Sequence, residues 1–215
     1  YEYYYFTYSQ SWLNSGYPID PSLEFSLKTQ RIKGIPPWLK DLIPDRWGSM
    51  IQKRRLGHTP SMLELLLGSN DASREGSLRV KVQDKFVNAF SQTYDLSSLE
   101  SLIHASFHVE KGCSSEEDLN LLYPVAGTIG GARPKVCLEI GGKQYIAKLP
   151  SIQDNNLQLS RIEKVYLDLA KTADIKACSS KVIETKFGDV LLLSRFDRDK
   201  DNNRIPFMSA MTALG

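Results

Sequence analysis

Cysteine is scarce in this sequence, and the few cysteines are far apart. Cys113, Cys137 and Cys178 form no CxxC pair and no cluster with histidine along the chain. This spacing argues against both a zinc-finger site and a framework of disulfides. Isolated thiols are typical of a protein in a reducing compartment, and we therefore expect a cytoplasmic protein.

Long apolar runs and an excess of one charge are also missing. The longest mostly apolar stretches, Met62–Leu67 and Val190–Leu193, are far shorter than the roughly 20 residues that a membrane helix needs. We therefore expect no membrane association. The 27 basic and 25 acidic side chains leave a formal charge of +2, which is too small for a protein that coats nucleic acid by charge alone.

The length and composition of the chain indicate how many domains it forms, and its two ends indicate a longer protein. Its 215 residues, 41% hydrophobic and 24% charged, are typical of a folded chain with one large domain or two small ones. The sequence opens in an aromatic run, Tyr1 to Phe6, without an initiator methionine, and stops in a helix-like stretch from Met208 to Gly215. We expect it to be part of a longer protein.

The first 124 residues alternate short strands with short helices. Residues 1–8 have high β propensity, and a short strand is predicted at Ser77–Val80. Apolar residues at helical spacing, bounded by proline, serine and glycine, predict the other elements. These predicted helices cover residues 37–43, 45–56, 59–68, 96–109 and 116–122.

From about residue 125 the pattern becomes strand, strand, helix, strand, strand. A glycine-rich loop, Gly127–Gly131, precedes a hairpin whose turn is Gly141–Gly142. A helix follows from Leu157 to Lys171, with an apolar stripe that is expected to face the core. That stripe is Leu159, Ile162, Tyr166, Leu169 and Ala170. The predicted strands are residues 135–140, 144–149, 182–185 and 190–195.

The glycine-rich loop has a composition that suits phosphate binding. Gly127, Gly130 and Gly131 would allow several backbone N–H groups to converge on a phosphate. The spacing, however, matches neither GxxxxGK[ST] nor GxGxxG. Taken alone, the loop is more simply interpreted as a turn that enters a hairpin.

Two charged residues follow the loop in a meaningful order. Lys148 lies among apolar strand residues, where it is either a lysine that needs an anionic partner or a solvated lysine of an edge strand. Glu163 borders the apolar stripe of the next helix, or is an ordinary surface glutamate. The chain thus has a glycine-rich loop, then a strand lysine, then a helix glutamate and then two more strands. This order is found in the small lobe of a protein kinase.

Two histidines have a spacing that a metal ion could use. His104 and His108 are four residues apart on a predicted helix. The sequence offers no third ligand beside them, so a pair on the helix surface is the favoured interpretation. No metal site is predicted.

Five sequence blocks carry a family resemblance. They are Pro44–Gly48 (PDRWG), Gly130–Lys135 (GGARPK), Ala147–Ser151 (AKLPS), Arg195–Arg198 (RFDR) and Met208–Met211 (MSAM). In sequence and order they resemble the HipA family, whose members are bacterial serine/threonine-protein kinase toxins of type II toxin–antitoxin systems. The resemblance implies an α+β fold, with an N-terminal subdomain of mixed strands and short helices at residues 1–124. Residues 125–215 would form the β-rich, ATP-binding small lobe, without the helical C-lobe.

The resemblance also implies roles for individual residues. Lys148 would contact the ATP phosphates, with Glu163 as its helix partner. Thr128 would be the candidate for autophosphorylation, because threonine stands where family members often have serine. The expected ATP-binding residues are Gly127, Thr128, Ile129, Gly130, Gly131, Lys148 and the hinge residues Ser194, Arg195 and Phe196.

The residues that perform phosphoryl transfer are not expected within this chain. After Leu193 the acidic residues are Asp197, Asp199 and Asp201, which we interpret as turn residues. By the resemblance, the catalytic-loop aspartate lies beyond Gly215, and ATP and Mg²⁺ are cofactors of the full-length protein. We expect this chain alone to be inactive and to bind neither cofactor tightly.

The sequence supports two functional hypotheses. The first is the N-terminal part of a HipA-like kinase that, at full length, transfers the γ-phosphoryl group of ATP to a serine or threonine of a protein substrate. By the resemblance, a helix-turn-helix antitoxin neutralises it, and DNA is contacted only indirectly through that antitoxin. The alternative is a catalytically inactive binding module that captures an antitoxin or regulates a separate kinase.

Overall fold

The computed structural model describes residues 3–89, 92–155 and 157–214, which form a mixed α+β fold with antiparallel sheets. Tyr1, Glu2 and Gly215 of the predicted end segments lie outside the described residues. The helices are α1 (Gln10–Ser15), α2 (Pro37–Lys40), α3 (Arg46–Leu56), α4 (Met62–Gly68), α5 (Leu99–Lys111), α6 (Glu116–Leu122), α7 (Leu159–Thr172) and α8 (Ala210–Leu214). The strands are β1 (Tyr3–Phe6), β2 (Gln30–Lys33), β3 (Lys81–Val82), β4 (Lys85–Phe86), β5 (Lys135–Ile140), β6 (Lys143–Lys148), β7 (Ser180–Thr185) and β8 (Gly188–Ser194). None of these helices combines the length and the apolar composition needed to cross a bilayer.

The main sheet has four antiparallel strands in the order β5-β6-β8-β7. The hairpin turn between β5 and β6 is formed by Gly141 and Gly142, whose φ angles of +58° and +73° favour glycine. The register of this hairpin places Lys135 directly opposite Lys148. Lys135, the first residue of β5, therefore lies beside Lys148, the last residue of β6, so that two cations are neighbours in the sheet.

The principal hydrophobic core is shared by the two halves of the chain. Helix α3 contributes Trp47 and Ile51, while α5 contributes Leu102 and Ile103. These side chains pack in one cluster with Val136 and other residues of β5, β6 and β8. The core therefore crosses the predicted domain boundary at residue 124 and fixes the glycine-rich loop between helices and sheet.

Local signals predicted most elements, and the exceptions have physical causes. The strand expected at Ser77–Val80 is an irregular segment, and the strand pairing occurs in the β3–β4 hairpin that follows. The sequence analysis also missed α1 and β2, which are short. Strand β2 is held by pairing with β1, a contact between distant residues that no local pattern reveals.

The apolar stripe of α7 does not face the core as predicted. Ile162, Tyr166 and Leu169 are 43%, 68% and 56% exposed. The face that meets the sheet instead carries Leu167, which packs against β8 and its neighbours, and Glu163, which pairs with the lysine at the end of β6. Ion pairs of Glu163 and Arg161 with the sheet, together with Leu167, therefore orient this helix in place of its largest apolar side chains.

Asp197 lies in a turn, as predicted, but the burial of its side chain was not foreseen. Its side chain is 1% exposed and accepts hydrogen bonds from Arg195 (Nε, 2.8 Å; Nη2, 2.5 Å), from Arg198 Nη1 (2.8 Å) and from the Gly76 N–H (2.7 Å). Burial raises the pKa of Asp197, but the hydrogen bond and charge of Arg195, with Arg198, outweigh it and keep the pKa below its ordinary value. Asp199, by contrast, is exposed and caps the loop, as predicted.

The two arginines also bind the backbone of the N-terminal half. Arg195 donates to the carbonyl oxygens of Ser73 (3.0 Å) and Arg74 (3.2 Å), and Arg198 donates to those of Ala72 (3.3 Å) and Arg74 (3.0 Å). Gln144 and Arg204 donate to the Ala72 and Arg74 carbonyl oxygens as well, so that these backbone acceptors are satisfied by several side chains. The cluster therefore joins the end of β8 to the segment around residue 74.

Replacing Asp197 by alanine should strongly destabilise the fold. The change leaves Arg195 and Arg198 as buried charges without their carboxylate, which typically costs roughly 3–5 kcal/mol. Urea unfolding of the variant measures this loss of unfolding free energy. Asp201→Ala, an exposed position in the same loop, is the control and should change stability by less than about 0.5 kcal/mol. A loss at Asp197 as small as that of the control would contradict the structural role.

Candidate functional site

A cleft of about 830 Å³ lies beneath the glycine-rich loop. Its volume is within the range of small-molecule sites. It brings together six of the residues predicted from the sequence: Thr128, Ile129, Gly130, Lys148, Ser194 and Phe196. The sequence analysis did not select the other residues that line it, among them Asp45, Glu75, Lys135 and Phe207.

Lys148 and Glu163 are brought together by the packing of α7 on the sheet. The Lys148 ammonium donates to Glu163 Oε1. The two side chains are 31% and 39% exposed, so the pair lies at the edge of the cleft rather than in the interior. The carboxylate holds the lysine in place while leaving part of the ammonium facing the cleft.

Lys135 is one of the cleft residues that sequence reasoning missed. It is only 3% exposed, and its ammonium has no hydrogen-bond partner among the residues that the structure describes. A Cβ atom built on Gly131 would lie 3.0 Å from this nitrogen, so the charge sits directly below the loop. Burial, followed by the charge of Lys148, lowers the pKa of Lys135 to about 8, against the opposing effect of Asp45.

The Pro44–Gly48 segment holds the glycine-rich loop in place. Asp45 Oδ2 accepts a 2.6 Å hydrogen bond from the Gly131 N–H, while its Oδ1 caps α3. Trp47 Nε1 donates to the Lys135 carbonyl at 2.8 Å. A Cβ at Gly48 would lie 2.9 Å from the Gly127 carbonyl oxygen, so glycine is required at this close approach. One short segment therefore supports both the loop and the strand that leaves it.

Thr128 points away from solvent. It is 3% exposed, and its Oγ1 accepts a 2.8 Å hydrogen bond from the Glu75 N–H. Burial, and then the charge of Asp197, raises the pKa of Glu75 to about 7. The preceding Gly127 has a φ of +58° and lies against Ser73, which fixes the backbone that buries the hydroxyl.

The predicted hinge residues take three different environments. The Ser194 N–H donates to the Ser179 carbonyl oxygen (2.8 Å) and is therefore already engaged. The Arg195 side chain is buried toward the N-terminal half and does not line the cleft. Phe196 is 53% exposed and packs against Phe207, with ring centroids 5.1 Å apart. These two rings form an aromatic wall of the cleft.

Raising the pH should reduce the cost of burying Lys135. Its folded pKa of about 8 lies below the ordinary 10.5, so between these values the unfolded chain binds more protons and stability rises with pH. Below pH 8 the charged lysine carries a penalty of roughly 3 kcal/mol. Lys135→Met removes that penalty, so its stability advantage over the wild type should be largest near pH 7 and shrink toward pH 10.5.

Urea unfolding at several pH values between 7 and 10 measures this difference. Lys143→Met, at the exposed end of β6, is the matched control, and its difference from the wild type should stay constant. A Lys135→Met advantage that does not change with pH would contradict the assigned environment of this lysine.

Comparisons with known proteins agree with this architecture. Residues 1–81 match the family model described as HipA N-terminal domain, and residues 127–215 match the model described as HipA-like C-terminal domain. A search of curated proteins found no significant match. Among solved structures, the chain resembles a chain from the complex of the Shewanella oneidensis MR-1 toxin–antitoxin system HipA, HipB and its operator DNA, with a TM-score of 0.59 and 19% identity.

This similarity covers 94% of the present chain but 47% of the solved one, so the chain spans about half the length of that relative. At 19% identity it shows a shared fold. The two family models match in the expected order and cover most of the sequence between them. Taken together, these matches show that the chain belongs to the HipA family.

Proposed function

We propose that this chain is the nucleotide-binding part of a HipA-like serine/threonine-protein kinase. The observation that carries the proposal is the placement of Lys135 and Lys148 opposite each other beneath the glycine-rich loop. Like charges directly opposite on neighbouring strands repel, and Glu163 pairs with Lys148 alone. The Lys135 ammonium has no hydrogen-bond partner in the described part of the chain, and a polyphosphate would supply one.

The residues of the cleft fit ATP. Lys135, Lys148 and the loop would hold the phosphates, because the two lysines and Thr128, Ile129 and Gly130 of the loop line the same cleft. Phe196 and Phe207 would form an apolar wall for the adenine ring. ATP would supply the phosphoryl group for a serine or threonine of a protein substrate. By the family resemblance, the aspartates that hold Mg²⁺ and orient that hydroxyl belong to a C-terminal lobe of the full-length protein.

Asp45 places a carboxylate beside the groups that would bind a phosphate. Its carboxylate accepts from the Gly131 N–H and is the opposite charge that acts on Lys135. A phosphate under the loop would compete with Asp45 for both groups. We therefore propose that the carboxylate keeps the loop closed over the cleft until nucleotide enters.

Thr128 is the proposed autophosphorylation site. Its hydroxyl is buried against the Glu75 N–H, and burial leaves no room there for a phosphate group. Modification of Thr128 would therefore require the loop to move away from Glu75 and out of the cleft. In this way a single phosphate would switch the kinase off.

An antitoxin is the proposed protein partner. The solved relative belongs to a system with HipA, HipB and operator DNA, and the family resemblance assigns residues 1–124 to contact with a helix-turn-helix antitoxin. The formal charge of +2 favours DNA contact through that partner rather than by this chain itself.

Lys148→Ala in the full-length protein should abolish ATP-dependent phosphorylation of serine or threonine. The change removes the cation beside Glu163 that neutralises phosphate charge. Transfer of radiolabelled γ-phosphate to protein measures the activity, and circular dichroism checks the fold. Lys143→Ala, on the same strand but exposed, should retain full activity. Retained activity in Lys148→Ala would refute the assigned role, while inactivity of the wild type would favour the binding-module alternative.

Lys135→Met should weaken ATP binding to the full-length protein at least tenfold. The variant loses a charge that is buried against the phosphate space, which is worth more than a screened surface charge. Calorimetric titration with ATP measures the affinity, again with Lys143→Met as the control. Equal affinities in the two variants would argue against a phosphate contact by Lys135.

A further inference from the structure

Outside the cleft, three side chains that can bind metal meet on the hairpin formed by α5 and α6. They are His104, His108 and Asp118, and one potential ligand atom of each lies within 4.8 Å of the others. The two imidazoles are four residues apart on α5, with ring centroids 4.2 Å apart. Asp118 Oδ2 lies 2.8 Å from His108 Nδ1. The third ligand that the sequence did not reveal is therefore supplied by the next helix.

The position of Asp118 is fixed by the start of α6. Ser115 is the N-cap residue, and its N–H donates to Asp118 Oδ2 at 2.9 Å in a capping box. Gly112 ends α5 with a φ of +82°, which turns the chain so that the two helices lie side by side. The carboxylate is thus held beside the histidines before any ligand arrives, and small side-chain rotations would bring the three ligand atoms around one ion.

We propose that His104, His108 and Asp118 form a Zn²⁺ site that links α5 to α6. Two imidazole nitrogens and one carboxylate oxygen are ordinary zinc ligands, with metal–ligand distances of about 2.0–2.2 Å, and three protein ligands leave a fourth position for water. In the structure, the Asp118 carboxylate instead forms a hydrogen bond with His108 Nδ1. Zinc bound between His108 Nδ1 and Asp118 Oδ2 would replace that hydrogen bond by two metal–ligand bonds, with the ring proton of the neutral imidazole carried on Nε2.

Zinc bound here would stabilise the fold without entering the proposed nucleotide cleft. The site shares no residue with that cleft. Helix α5 supplies Leu102, Ile103 and Val109 to the principal core, and α6 supplies Leu122. A clamp between the two helices would therefore brace the layer on which the sheet rests, and stability would rise with free zinc by mass action.

The test uses the full-length protein without an affinity tag, dialysed against EDTA and then titrated with Zn²⁺ in a calorimeter. We expect a site that takes one Zn²⁺ and that His104→Ala weakens at least tenfold. Co²⁺ in the same site should give the visible absorption of a four-coordinate ion with nitrogen and oxygen ligands, and Mg²⁺ should not compete. Because His104 is exposed, its alanine variant should fold normally.

Two further variants complete the experiment. His58→Ala is the matched control, because His58 forms the other histidine–carboxylate pair, with Glu64 at 3.0 Å, and the chain has three histidines in all. It should leave the zinc affinity unchanged. Asp118→Asn should weaken zinc while keeping an acceptor for the Ser115 N–H. No zinc binding by the wild type, or an affinity that His104→Ala leaves unchanged, would overturn the proposal.

Discussion

The carboxylate of Asp197 joins the two halves of the molecule, and the walls of the cleft depend on it. It balances Arg195 and Arg198 in an interior where either guanidinium alone would be costly. Those arginines hold carbonyls of the segment that ends at Glu75, whose N–H in turn donates to the Thr128 hydroxyl oxygen. The end of β8, the N-terminal half and the glycine-rich loop are thus connected through one buried charge cluster.

Electrostatics under the loop follows from strand register. Once the Gly141–Gly142 turn sets the pairing, Lys135 and Lys148 must be opposite each other, and helix α7 brings one carboxylate to the pair. Asp45, the N-cap residue of α3, is the second carboxylate that acts on this pair, through Lys135. Two carboxylates on separate elements therefore accompany the two ammonium groups.

The parts predicted from the sequence are those with local causes. The β5–β6 hairpin, the capped helices, and the order of loop, lysine and glutamate are readable from alternation, turns and spacing. The burial of Lys135 could not be predicted from local patterns, because it depends on Trp47, which lies 88 residues earlier and donates to the Lys135 carbonyl. The role of Asp197 was equally hidden, since it binds Gly76 across 121 residues. The apolar stripe of α7 was misassigned because ion pairs of Glu163 and Arg161, rather than apolar area, decide which side of the helix meets the sheet.

The hydrogen bond from the Gly76 N–H to Asp197 also has a consequence for folding while the chain is being synthesised. The backbone near residue 74 leaves the ribosome 121 residues before the carboxylate and arginines that satisfy it. At about 5–20 residues per second, this interval lasts roughly 6–24 s. Throughout that time the nascent N-terminal half carries polar backbone groups whose permanent partners do not yet exist, so its early folding has to rely on water or on a chaperone to occupy them.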